Sequence, residues 1–151
     1  LDYICLMNRI ALGIVPSLVV FLCACAGPKY SVSNLPTNFV EMGNGGGFTG
    51  VYTYYKVASN GQVFKSKSGD TAYAEYGTIA KKTAKNAFKT LGEIKDKSIS
   101  KPGNLNYFIF RAEGDSMTSW LWSDDKKPSE DVSTIYTSLN EAISVVSASN
   151  K

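Results

Sequence analysis

The sequence predicts an α+β domain: an antiparallel sheet of about five strands with two amphipathic helices on one face, in the order βββ-α-ββ-α. Three observations predict it. An Asn60-Gly61 pair separates two alternating strand patterns. A Glu113-Gly114-Asp115-Ser116 turn separates two aromatic ones. Two further segments repeat apolar residues every three or four positions, the period of a helix.

Thr37 to Met42 is the first strand, and Gly43-Asn44-Gly45-Gly46-Gly47 after it reads as a loop, because glycine runs weaken regular structure. Gly50 to Ala58 is the clearest strand. Val51, Thr53, Tyr55 and Val57 share one face; Tyr52, Tyr54 and Lys56 share the other. Both central positions of a type I′ turn need positive φ, which Asn60-Gly61 supplies, and Gln62 to Lys67 is the returning strand. Ser68-Gly69-Asp70 ends it. A helix is expected from about Thr78 to Leu91, with Ala80, Ala84, Ala87, Phe88 and Leu91 inward, and Gly92 weakening its end. Leu105 to Ala112 is a strand with Phe108 and Phe110 on one face and Tyr107 and Ile109 on the other. Met117 to Ser123 returns with Trp120 and Trp122 together. Ser129 is the expected N-cap of the last helix, with Glu130 and Asp131 at its positive end. Its stripe is Val132, Ile135, Tyr136, Leu139, Ile143 and Val146.

The first residues carry an address. Asn8-Arg9 is a short basic region, and Ile10 to Leu22 is apolar and uncharged. Leu22-Cys23-Ala24-Cys25 then fits the L-x-x-C lipobox of a bacterial lipoprotein signal, in which the cysteine thiol receives the lipid. We expect residues 1–24 to be the signal peptide, with translation starting at Met7, Cys25 to be lipidated, residues 25–36 to be a tether and residues 37–151 to be the domain. An uncleaved membrane anchor is the competing reading, and Pro16 inside the apolar run weighs against it. Ala26-Gly27-Pro28-Lys29 holds no acidic cluster, which favours a periplasm-facing outer-membrane anchor in the cell envelope.

Composition narrows the chemistry. The 151 residues are 44% hydrophobic and 19% charged, a globular balance. The net charge of +3 is too small to predict nucleic-acid binding, and it is unchanged once Asp2 and Arg9 are removed with the leader. The sequence contains no histidine, so it holds no Ser-His-Asp or Cys-His catalytic set and no histidine metal ligand. All three cysteines, Cys5, Cys23 and Cys25, precede the domain. We expect no enzymatic activity, no cofactor and no metal site.

The binding candidate is the loop Gly45, Gly46, Gly47, Phe48, Thr49 and Gly50. It spells G-x-G-x-x-G, but a strand follows it where dinucleotide binding needs a helix. It is either architecture, letting backbones cross closely, or a flexible base presenting Phe48. Lys81, Lys82, Lys85 and Lys89 form a basic helix side, either merely solvated or touching anionic lipid or an acidic partner. Asp124-Asp125 and Glu130-Asp131 fit capping and solvation better than a metal loop. Trp120, Trp122, Tyr107, Tyr52 and Tyr54 make either a core or an aromatic ligand face.

Taken in order, the lipobox, the Ser/Pro tether, Gly43-Asn44-Gly45-Gly46-Gly47-Phe48-Thr49-Gly50, Asn60-Gly61, Pro102-Gly103-Asn104, Tyr107-Phe108-Ile109 and Trp122 resemble small Bacteroidota lipoproteins with a GGGFTG-type loop. That resemblance implies an envelope address and a shape rather than a reaction. Gly46-Gly47-Phe48-Thr49-Gly50 is also similar to the Gly-Gly-Phe-x-Gly segment of emfourin-type inhibitors of metalloproteases. The expectation is a membrane-anchored, non-enzymatic binding module with a protein or glycan partner in the envelope. The alternative is inhibition of an envelope metalloprotease through the same loop.

Overall fold

The computed structural model describes residues 29–95 and 103–149. The expected leader, the expected lipidation residue Cys25, residues 25–28 of the expected tether and Pro102 lie outside them. The chain forms β1 (Phe39–Gly46), a 3₁₀ turn (Gly47–Thr49), β2 (Val51–Ala58), β3 (Gln62–Lys67) and β4 (Ala74–Thr78). These are followed by α1 (Lys81–Glu93), β5 (Leu105–Glu113), β6 (Ser116–Ser123) and α2 (Glu130–Ser149). The six strands make one antiparallel sheet in the order β4-β3-β2-β1-β5-β6.

The α+β class stands, with six strands where about five were expected. The added strand is β4, which contributes little apolar alternation of its own. Its backbone pairs with β3, and Tyr76 sets its ring edge-on against Tyr55 of β2, with centroids 5.4 Å apart. Because β4 takes Thr78, α1 starts at Lys81, three residues later than predicted, and runs to Glu93.

The larger correction is at β1. Gly43, Gly45 and Gly46, expected in a loop, continue the strand, paired with β2 on one side and β5 on the other. Tertiary packing overrides the weak strand preference of glycine here. A Cβ on Gly43 would stand 1.9 Å from the Thr53 carbonyl oxygen and 2.7 Å from Cζ of Phe108. A Cβ on Gly45 would stand 2.5 Å from the Tyr52 ring. Rings from the neighbouring strands thus occupy the space that side chains on β1 would need. Gly45 is accordingly floor and not part of an exposed loop.

Both helices cover one face of the sheet. Val40, Met42, Val57, Val63, Ile109, Trp120 and Trp122 point into that layer. They meet Ala84, Ala87 and Leu91 of α1 and Val132, Ile135, Leu139 and Ile143 of α2. The α2 stripe is the one predicted from its spacing. Tyr107 and Trp122 stack in the same layer, and Tyr136 meets both edge-on. The opposite face carries Tyr52, Tyr54, Phe108 and Phe110, with adjacent ring centroids 5.2–6.4 Å apart. The five aromatics proposed as one ligand face are therefore divided between the two sides of the sheet.

The register separates two ends. Phe39 pairs with Ala58 and Ala112 at one, Gly46 with Val51 and Leu105 at the other. At a rise of about 3.4 Å per residue, the strand between them spans roughly 24 Å. The first end holds the Asn60-Gly61 turn and is called the hairpin end. The second is the glycine end. The chain reaches the domain at the hairpin end, where the Tyr30 N–H donates to Gln62 Oε1 (2.8 Å) and Gln62 Nε2 donates back to the Tyr30 carbonyl (3.1 Å). The last tether residues are thus docked on the domain instead of hanging free, and Pro36 is buried.

Candidate functional site

The glycine end presents the candidate loop. Gly46, Gly47 and Gly50 have φ of 104°, 63° and 63°, in the left-handed region that other residues enter only at a cost. These angles turn β1 through a 3₁₀ turn into β2. The Gly50 N–H closes the turn on the Gly47 carbonyl (3.4 Å), and the Val51 N–H reaches Thr49 Oγ1 (3.4 Å). Phe48, at the tip, has a relative exposure of 107%. The other described phenylalanines are buried or half-buried. Val51 beside it is 47% exposed, so the tip joins two apolar side chains.

The base of the loop is firm. The Gly47 N–H donates to the Asn104 carbonyl at 2.5 Å. Asn106, buried in the next strand, accepts from the Gly103 N–H (2.8 Å), and its amide donates to the Tyr52 hydroxyl (3.2 Å) and the Gly103 carbonyl (3.2 Å). Gly103-Asn104 and the glycine loop, separate features in the sequence, therefore lie against each other. Asn106 is the residue that sequence reasoning missed. Its only signal was a polar residue at the start of an aromatic strand.

The remaining candidates fall elsewhere. Asp124 and Asp125 are exposed in the loop after β6, where Ser123 Oγ donates to Asp125 and holds its carboxyl below the usual range. Glu130 and Asp131 open α2, where the helix dipole favours them. Among the described residues, no group of three or more Asp, Glu, His or Cys is placed to hold a metal ion. A cleft of about 220 Å³ between β6 and the start of α2 is lined by Tyr107, Trp122, Lys127 and Tyr136 among others. That is below the roughly 300–1,000 Å³ of ordinary small-molecule sites. Lys81, Lys82, Lys85 and Lys89 are exposed along α1.

Two tyrosines titrate far from their ordinary range. Burial raises Tyr73, helped by its 2.7 Å hydrogen bond to Glu41 Oε2. The same carboxylate takes Lys56 at 3.6 Å, and the Lys56 ammonium lies over the rings of Phe39 (4.0 Å) and Tyr73 (4.6 Å). Burial likewise raises Tyr136, whose hydroxyl donates to the Gly43 carbonyl at 3.2 Å. Both arrangements brace β1. Tyr136 also lines the 220 Å³ cleft, whose rim carries Asp124 and Lys127, but its hydroxyl is taken up by the Gly43 carbonyl.

No protein-family model, curated protein or solved structure matches the chain. Among the described residues, no helix is long and apolar enough to cross a membrane.

Proposed function

We propose that this chain is a lipid-anchored lipoprotein of the bacterial cell envelope. In this reading it is a non-enzymatic binding module that captures a protein or glycan partner through the Phe48 tip. The observation that carries the reading is the full exposure of Phe48 on a turn whose base is fastened by Asn104 and Asn106. A large apolar side chain held in water contributes nothing to folding. It gains free energy only when something else covers it. A firm base lowers the ordering cost of binding, because the loop does not have to be immobilised first.

Burying a phenyl ring is worth about 1.5–3 kcal/mol, so Phe48→Ala is expected to weaken capture by roughly tenfold to a hundredfold. The test is affinity capture from detergent-solubilised envelope with the tagged full chain, wild type beside Phe48→Ala, with the melting temperature of both. A partner lost from the variant at unchanged melting supports the reading. Identical capture by both proteins removes Phe48 from the site.

A further inference from the structure

Helix α1 lies across the hairpin end of the sheet. Its start is fastened there, because the Ile79 N–H donates to the Gly61 carbonyl at 2.9 Å. Further along, the Phe88 carbonyl accepts from Arg111 Nε at 3.0 Å. Arg111 pairs with Val40, and Val40 with Val57, one step in from the hairpin-end pairs Phe39–Ala58 and Phe39–Ala112. The outward edge of α1, carrying Lys81, Lys82, Lys85 and Lys89, therefore follows the end at which Tyr30 enters the domain. Lys89 pairs with Glu93 at 4.0 Å in solvent, and among the described residues Lys81, Lys82 and Lys85 have no ion-pair partner. Of the carboxylates at this end, Glu113 is held by Arg111, and Asp115 sits in the β5–β6 turn. The widths of β2, β1 and β5 separate that turn from Gly61.

Helix stability does not account for these lysines. The first turn of α1 holds no acidic residue, and its N-cap is Ala80 with no side-chain cap. Lys81 and Lys82 there oppose the helix dipole. Cys25 precedes Tyr30 by five residues, which span at most roughly 17 Å. A lipid on that cysteine would keep the lysine edge close to the bilayer surface. Clustered lysines beside an anchor are attracted to anionic headgroups over about a Debye length.

We propose that the α1 lysine edge, brought to the tether end by the Gly61–Ile79 and Arg111–Phe88 contacts, docks on the anionic headgroup surface of the membrane. This rests on the anchored reading of Cys25. It orients the domain with α1 on the bilayer and the Phe48 tip at the far end, facing away from it.

The experiment is residue-resolved lysine acylation of the full chain on phosphatidylcholine vesicles with and without phosphatidylglycerol. Mass analysis of the Cys25 peptide runs on the same sample. Lys126 and Lys127 are exposed at the glycine end and serve as internal controls. Lys81, Lys82 and Lys85 should react roughly tenfold more slowly on the anionic vesicles alone, with high salt restoring them and the controls unchanged. Equal labelling on both vesicle types, with lipid found on Cys25, overturns the inference and leaves the anchor standing. Cys25 without lipid overturns the anchor. The lysine comparison then decides by itself, protection on anionic vesicles supporting the surface and its absence overturning it. Lysines reactive on anionic vesicles but shielded by an acidic envelope protein also overturn the lipid assignment.

Discussion

The hairpin end and the glycine end of the sheet both turn on glycine, yet the glycines do opposite work. Gly61 is buried, with φ of 96°, and a Cβ there would stand 2.4 Å from the Ile79 carbonyl oxygen. It receives the chain returning from β4, while Asn60 and Gln62 bond each other and Gln62 bonds Tyr30. Gly47 and Gly50 have no heavy atom within 4 Å of a Cβ position. They supply backbone angles and no packing. One end is thus an assembly point where three segments converge. The other is a display point, where the turn holds Phe48 out and nothing in the domain covers it. A glycine-rich sequence does not tell these uses apart. The space around each position does.

The sharpest way to break this contrast is to add side chains at both ends. Gly61→Val combines a backbone clash with a left-handed φ, and should lower unfolding free energy by several kcal/mol, on the order of 3–5. Denaturant melts measure this, and a loss below 1 kcal/mol would deny the hairpin end its role as assembly point. Alkaline melting probes the body between the ends. Tyr73 and Tyr136 have folded-state values raised above the ordinary 10.0, so at neutral pH both are protonated whether the chain is folded or not. Above pH 10 the unfolded chain releases these protons while the folded one retains them, and stability falls as pH rises. Melting temperature should hold between pH 7 and 9 and drop steadily above 10. Tyr136→Phe and Tyr73→Phe should reduce that drop.

At the glycine end the effects are smaller. Gly50→Ala meets no neighbour and carries only the left-handed backbone penalty, about 1–2 kcal/mol by the same melts. A cost matching that of Gly61→Val would erase the distinction between the two ends. Phe48→Ala should change stability by no more than about 0.5 kcal/mol, since the ring is already in water. A large loss would mean that Phe48 packs on the domain, and that the glycine end is architecture as well.

Local chemistry made much of the fold legible. Asn60-Gly61, the Tyr52/Tyr54 alternation, Trp120 beside Trp122 and the Val132–Val146 stripe are short-range patterns. The structure keeps these patterns, but the Asn60-Gly61 turn is not the expected two-residue one: three residues separate Ala58 from Gln62, only Gly61 takes a positive φ (96°), and the Gly61 N–H donates to the Ala58 carbonyl at 2.9 Å. The other misreadings have long-range causes. Gly43 and Gly45 look like loop residues until Phe108 and Tyr52, from strands on either side, are seen filling their side-chain space. Ala74–Thr78 becomes a strand because β3 offers it an edge and Tyr55 offers Tyr76 a partner. The loop was found from its glycines, whereas the bond from Asn106 to the Tyr52 hydroxyl crosses from β5 over β1 to β2, a contact between residues 54 positions apart that no local pattern encodes.

By itself, the sequence determined the class of the domain, its two hairpins, the residues at the loop tip, the inward face of α2 and, with Ala80 exposed ahead of the helix instead of inward as expected, the Ala84, Ala87, Phe88 and Leu91 face of α1. Each depends on turn geometry or on a period of two or three to four residues. The tertiary structure alone decided where those pieces stand. It placed the lysine edge of α1 beside the entering chain and Phe48 a strand's length away, and divided the aromatics between two faces. Strand order and helix crossing arise from contacts between residues tens of positions apart, and no local pattern encodes which end of a sheet a turn will share.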